Sequence, residues 1–144
     1  MKRTSIWIMA AALAGAVAAC GERRSELPAE LTGRWEVQQI AGASLGEGVR
    51  IDIAIDAQSG ALTGFTGCND FSAPMTAFER SITIGAVVEA AGECPNPEAA
   101  TDKERLLRVL PSVQRYARHG KSLELLGPAS GADALLRLRL ADAQ

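Results

Sequence analysis

Histidine is all but missing from this sequence: His119 is the only one, and the three cysteines include no Cys-x-x-Cys pair. A zinc site therefore lacks a ligand set, and a catalytic dyad or triad has one candidate base. Nor is there an excess of positive charge, with 15 Lys and Arg against 17 Asp and Glu. Such a balance gives no electrostatic reason to expect binding to DNA, RNA or anionic lipid. The sequence also calls for no cofactor.

What the chain does have begins at its first residue. Lys2 and Arg3 precede an apolar run from Ile6 to Val17, and Val17-Ala18-Ala19-Cys20 closes it with small residues and a cysteine. The run is too short to span a bilayer, which takes about 20 residues. A positive start, a short apolar stretch and a small-residue cleavage point in that order mark a secretion signal. The last four residues resemble a bacterial lipobox, which implies cleavage before Cys20 and a diacylglyceryl group on its sulfur. The other reading is an ordinary signal cut after an Ala-x-Ala site, with Cys20 incidental. Gly21 stands where an aspartate would favour inner-membrane retention in sorted bacterial lipoproteins, so the expected location is the outer membrane, lipid-anchored and facing the periplasm.

On this reading residues 1–19 are the signal peptide, 20–30 a polar lipidated tether, and 31–141 a single domain. Losing Lys2 and Arg3 with the signal leaves 13 basic against 17 acidic residues, a net charge of −4. Two or three acyl chains hold a protein to a membrane, whereas one holds it only marginally. With Cys20 assigned to lipid, Cys68 and Cys94 remain as one pair in an oxidising compartment, where a disulfide is the expected outcome. A free nucleophilic thiolate at Cys68 is the competing reading.

From residue 33 the apolar residues mostly alternate, which points to half-buried strands. The alternation covers Gly33 to Ile40, with Trp35 and Val37 on the inner face, and Val49 to Asp56, with residues 49, 51, 53 and 55 inward. Gly60 closes a turn, and Leu62 to Thr66 returns as a hairpin partner. A loop of small and polar residues then leads to a short strand, Met75 to Phe78, and a further strand, Ser81 to Val88. Leu106, Leu107 and Leu110 fall at helical spacing, so a helix is expected from Glu98 to Leu110, with its firm start at a Thr101–Glu104 capping box or at Pro97 and Glu98. Pro111 ends it. Val113 to Arg118 suits either more helix or a strand in hairpin with Leu123 to Leu126, and Ala134 to Leu140 is a last strand. The expected fold is mainly β (α+β), a small curled antiparallel sheet or partial barrel of about eight short strands with one helix.

Several elements together resemble the META domain family, the module of HslJ-like heat-shock lipoproteins. They are Gly33-Arg-Trp35, Thr63-Gly-Phe-Thr-Gly-Cys-Asn69 with Phe71, Ile82-Thr-Ile-Gly85, Cys94-Pro95, a charged helix with Glu104 and Leu107, and the closing Leu123-Glu-Leu125. The chain departs from the family's usual pattern at Ser72-Ala-Pro-Met75 and at Ala91-Gly-Glu93. The resemblance implies the fold and an envelope role, linked in some members to heat stress and drug tolerance, and transfers no catalytic residue.

Individual residues divide between scaffold and chemistry. Trp35 is expected in the core rather than as a ligand platform. Asn69 and Phe71 are the candidate loop residues, for local backbone bonding or for ligand contact. His119, beside Gly120, is expected to be solvated. Asp52 and Asp56 share one strand face about 13 Å apart, too far for paired-carboxylate catalysis. Arg137 and Arg139 form a solvated basic edge. Three functions remain: a non-catalytic envelope module binding an unknown envelope protein or small ligand, an inhibitor of a lysozyme or envelope protease, and a hydrolase using Cys68 and His119. The first, which is not an enzyme, fits best.

Overall fold

The alternation expected from the sequence sorts side chains to the two faces of one antiparallel sheet. In β1 (Gly33–Ile40) Trp35 and Val37 are buried while Arg34 and Gln38 are exposed. In β5 (Asp70–Phe78) every second residue from Phe71 to Ala77 is buried. The computed structural model describes residues 27–129, 131 and 133–142. The signal peptide, Cys20 and most of the tether lie outside the described residues.

The remaining strands are β2 (Ala43–Ser44), β3 (Asp52–Asp56), β4 (Ala61–Phe65), β6 (Ser81–Ile84), β7 (Val88–Glu89), β8 (Arg115–His119), β9 (Ser122–Leu126) and β10 (Ala134–Leu140), with one helix, α1 (Pro97–Val109), between β7 and β8. Pairing runs β1-β3-β4-β5-β6-β8-β9-β10 and returns to β1, while β2 adds to β1 and β7 to β5. The circuit is a partial ring, not a closed barrel, because β6 and β8 meet through one residue pair, Ser81 with Arg115. A register shift between Val37 and Gln39 against β10 explains why even-numbered Ile40 points inward with Trp35 and Val37. A bulge moves one residue out of the alternation and changes the face of those after it.

The interior is filled by side chains. Trp35, Ile53, Leu62, Leu125 and Leu136 from the strands meet Leu106 and Leu110 from the helix end, all fully buried. Leu27 falls in the segment expected to be tether, yet it is buried together with Leu31. The short 3₁₀ turn Ala29–Leu31 brings both into the core, and Leu31 O accepts the Trp35 indole N–H at 2.9 Å. Tyr116 donates its hydroxyl to Glu30 Oε1 at 2.5 Å, and Arg118 donates to Glu30 O with its guanidinium 5.2 Å from the Trp35 ring centroid.

Three boundaries differ most from the sequence-based expectation. Strand β5 starts at Asp70 rather than Met75 and carries Pro74 within it. Pro74 O accepts Gly85 N at 2.8 Å, so the missing amide hydrogen lies just past the end of β6, where no ladder bond is lost. The strand expected over Ser81 to Val88 is split, since a Cβ at Gly85 would sit 2.6 Å from Pro74 Cγ and the chain steps over that ring before pairing again as β7. Strand β3 starts at Asp52, not Val49, although Ile51 O still accepts Val37 N at 2.9 Å. Of the two expected helix starts, the one at Pro97 is found, capped by Asn96, whose side chain accepts Ala99 N at 2.8 Å; Thr101 donates back to Pro97 O instead of opening a capping box. The ambiguous stretch after Pro111 becomes strand β8.

Three consequences are measurable. A Cβ at Gly64 would lie 2.1 Å from Asp52 O and 2.9 Å from Phe71 Cε1. Gly64→Ala should lower stability in urea unfolding by about 3 kcal/mol, the upper range for overpacking. Gly120→Ala, at φ 59° with open space around it, should cost about 1 to 2 kcal/mol. Burial, then the hydrogen bond to Glu30, pushes the Tyr116 phenol up to about 12. The folded state thus keeps that proton after the unfolded chain has lost it, and the stability it contributes is complete below about pH 10 and lost as pH rises toward about 12. Alkaline melting of Tyr116→Phe should lack that part of the decline.

Candidate functional site

The residues singled out in the sequence motif meet at one end of the sheet, and there they act on each other. Cys68 and Cys94 form a disulfide that ties the β4–β5 turn to the segment before α1, so the Cys68 sulfur is not a free thiol. Thr66 Oγ1 accepts Cys68 N at 3.2 Å and Asn69 N at 3.0 Å, which folds the turn upon itself. Asn69 is buried, and its Nδ2 donates to Ala90 O at 3.0 Å and Gly92 O at 2.9 Å. Its Oδ1 accepts Lys103 Nζ at 3.0 Å, and Lys103 also pairs with Glu89 Oε1 at 2.9 Å. Both amide hydrogens of Asn69 are engaged, which leaves it no donor for a ligand. Phe71 is buried in the core. Asn69 and the disulfide together tie three segments, while Phe71, though buried, also lines a shallow depression on the sheet.

The other candidates stay apart from this cluster. His119 is exposed at the end of β8, where it pairs with Ser122. Arg137 pairs with Glu124 Oε1 at 3.2 Å on the outer face, and Arg139 Nη2 lies 3.8 Å from Glu36 Oε2.

A half-open cleft of about 1130 Å³ lies on the outside of the ring. Its floor is the outer face of β1 and β3, with Arg34, Glu36 and Asp52, and its roof is the chain from Ser44 to Val49. A shallower depression of about 450 Å³ continues across β3 and β4 toward Asp70, and Arg34, Asp52 and Phe65 line both. Glu36 is shared between Arg50 and Arg139 at 3.8 Å each. Arg34 and Asp52 form no ion pair within 4.0 Å among the described residues. The cleft thus offers one uncommitted cation, one uncommitted carboxylate and the half-exposed ring of Phe65. Sequence reasoning missed this site. The available signal was Phe65, an aromatic whose parity in β4 is opposite to that of buried Leu62.

Helix α1 sets the roof. Buried Asp102 accepts Gly46 N on Oδ2 at 2.6 Å and Arg105 Nη1 on Oδ1 at 2.7 Å. Arg105 Nη2 reaches on to Ile40 O at 2.6 Å, and a Cβ on Gly46 would come within 2.8 Å of Glu98 Cβ. Asp102→Ala should therefore leave the β1–β10 amides protected while hydrogen exchange at Gly46 to Val49 quickens by at least about tenfold, the measure of one lost charge-assisted bond of about 1.5 kcal/mol.

The profile of the META domain matches residues 29–142. No curated protein matches the sequence. Two proteins solved by NMR share the fold. One, from Burkholderia xenovorans, is 16% identical with a TM-score of 0.61, over 78% of this chain and 85% of its own. The other is 18% identical with a TM-score of 0.59, over 78% of this chain and 92% of its own. Their likeness concerns fold alone, whereas the profile match spans most of the sequence, including the Gly-Cys-Asn turn and the Cys-Pro pair. The chain belongs to the META domain family.

Proposed function

We propose that this protein is an outer-membrane lipoprotein, anchored through Cys20 and facing the periplasm, whose META domain is a non-catalytic binding module serving envelope stress tolerance. The anchor reading rests on the order of charge, apolar run, small residues and cysteine at the start of the sequence. The observation that supports binding over chemistry is the contrast between the two faces of the ring. Inside, side chains fill the space, and the motif cysteines are bonded to each other. Outside, the cleft presents Arg34, Asp52 and Phe65, a combination that suits a ligand carrying both charges and an apolar group. A peptide segment of an envelope protein has that chemistry, through its termini or side chains and its apolar residues.

Photo-crosslinking from the cleft in intact envelopes tests this. A photoreactive residue in place of Leu45, on the roof, should trap a discrete envelope protein. Adding Arg34→Ala and Phe65→Ala should reduce the yield at least about tenfold, since an aromatic anchor or a charged contact each contributes roughly 1 to 2 kcal/mol. No product above background, with the lipidated protein present at normal level, would speak against the module.

A further inference from the structure

Resting on the reading of Cys20 as the lipid attachment site, we propose that the Phe78–Ser81 turn is a second membrane contact. In it the Phe78 ring sits in the headgroup–acyl boundary of the bilayer that holds the anchor. The chain enters the fold at a fixed place, because Leu27 and Leu31 are buried and Glu30 is held by Tyr116 and Arg118. Seven residue steps separate Cys20 from Leu27, and they reach no more than about 25 Å however they run. A domain of this size has a radius of gyration of about 13 Å, so the tether is shorter than the domain is wide. The end at which Leu27 enters must stay close to the lipid.

Strand register identifies what else lies at that end. Gly33, the first residue of β1, pairs with Ile55; Asp56 pairs with Ala61, and Ala61 with Pro74, after which β5 runs on to Phe78. Ser81 then pairs with Arg115, beside Tyr116. The disulfide turn is at the other end of β5, about 26 Å away over eight residue steps. Three large apolar side chains are exposed among the described residues: Phe78 at 75%, Val88 at 66% and Phe65 at 37%. Val88 pairs with Ser72 and Phe65 with Asp70, near the far end of β5. Phe78 alone of the three is on the side of the anchor, at the tip of its hairpin. Glu79 and Arg80 next to it are exposed and cancel in charge, so the contact is apolar and depends little on salt. An aromatic side chain set at this depth is a recurrent interfacial anchor.

The mature, lipidated full chain in vesicles of phosphatidylethanolamine and phosphatidylglycerol with brominated acyl chains tests the proposal. Buried Trp35 gives a constant background and reports folding. Phe78→Trp should lose about half of its added emission to the bromines, as expected for a ring at the acyl boundary. Phe65→Trp should lose none. Equal quenching of the two variants, with diacylglycerol found on Cys20 by intact mass, overturns the contact and leaves the lipoprotein reading standing. Absence of that mass overturns the lipoprotein reading and the contact with it.

Discussion

The pairing of β1 with β10, with Trp35 opposite Leu140 and Ile40 opposite Leu136, joins the first and last long strands. Strand β1 has β10 on one side and β3 and β2 on the other, so it is the shared wall of the ring. Contacts between residues this far apart in sequence cost chain entropy that only the assembled core offsets. That core converges on β1. Trp35 is fully buried, its indole N–H is taken by Leu31 O, and the Arg118 guanidinium covers its ring. Without this closure the N-terminal turn has nothing to pack on and the cleft has no floor.

Two devices stiffen what the ring leaves weak. The open side between β6 and β8 is bounded by the helix end, where Leu110 and Val113 are buried. The disulfide closes a loop spanning 26 residues in sequence, and the chain-entropy account assigns such a loop about 3.5 kcal/mol. Asn69 and Lys103 extend the same staple to the helix. Helix α1 in turn carries Asp102 and Arg105, which hold the cleft roof. The staple and the site are thus held by the same turn of one helix, through Lys103 and through Asp102 and Arg105, and the motif residues influence the cleft by placing the element that shapes it.

Much of the sheet was legible because period-two burial is a local property. The alternations Trp35–Val37, Ile53–Ile55 and Leu136–Leu138 are written in the sequence and appear unchanged as inner faces. Boundaries were legible only where a local signal ended the element, as at Gly60 and Pro111. They failed at Pro74, because its tolerance depends on where β6 happens to stop, and at Gly85, because its reason is the ring of a residue eleven positions earlier. The helix start turned on Asn96, a cap as good as Thr101 by type and chosen by where Pro97 permits the first turn.

For the site, the sequence by itself determined the inner and outer sets of residues, the one helix, the family, and the cysteines available to pair. It did so because composition, periodicity and motif spacing act along the chain. Only the tertiary structure decided that Asn69 spends its amide on Ala90 and Gly92, and that Leu27 belongs to the core. It also decided that Arg34, Asp52 and Phe65, from three different strands, share one cleft. These depend on register between strands and on a helix leaning over a loop, and neither is encoded in any short stretch of residues.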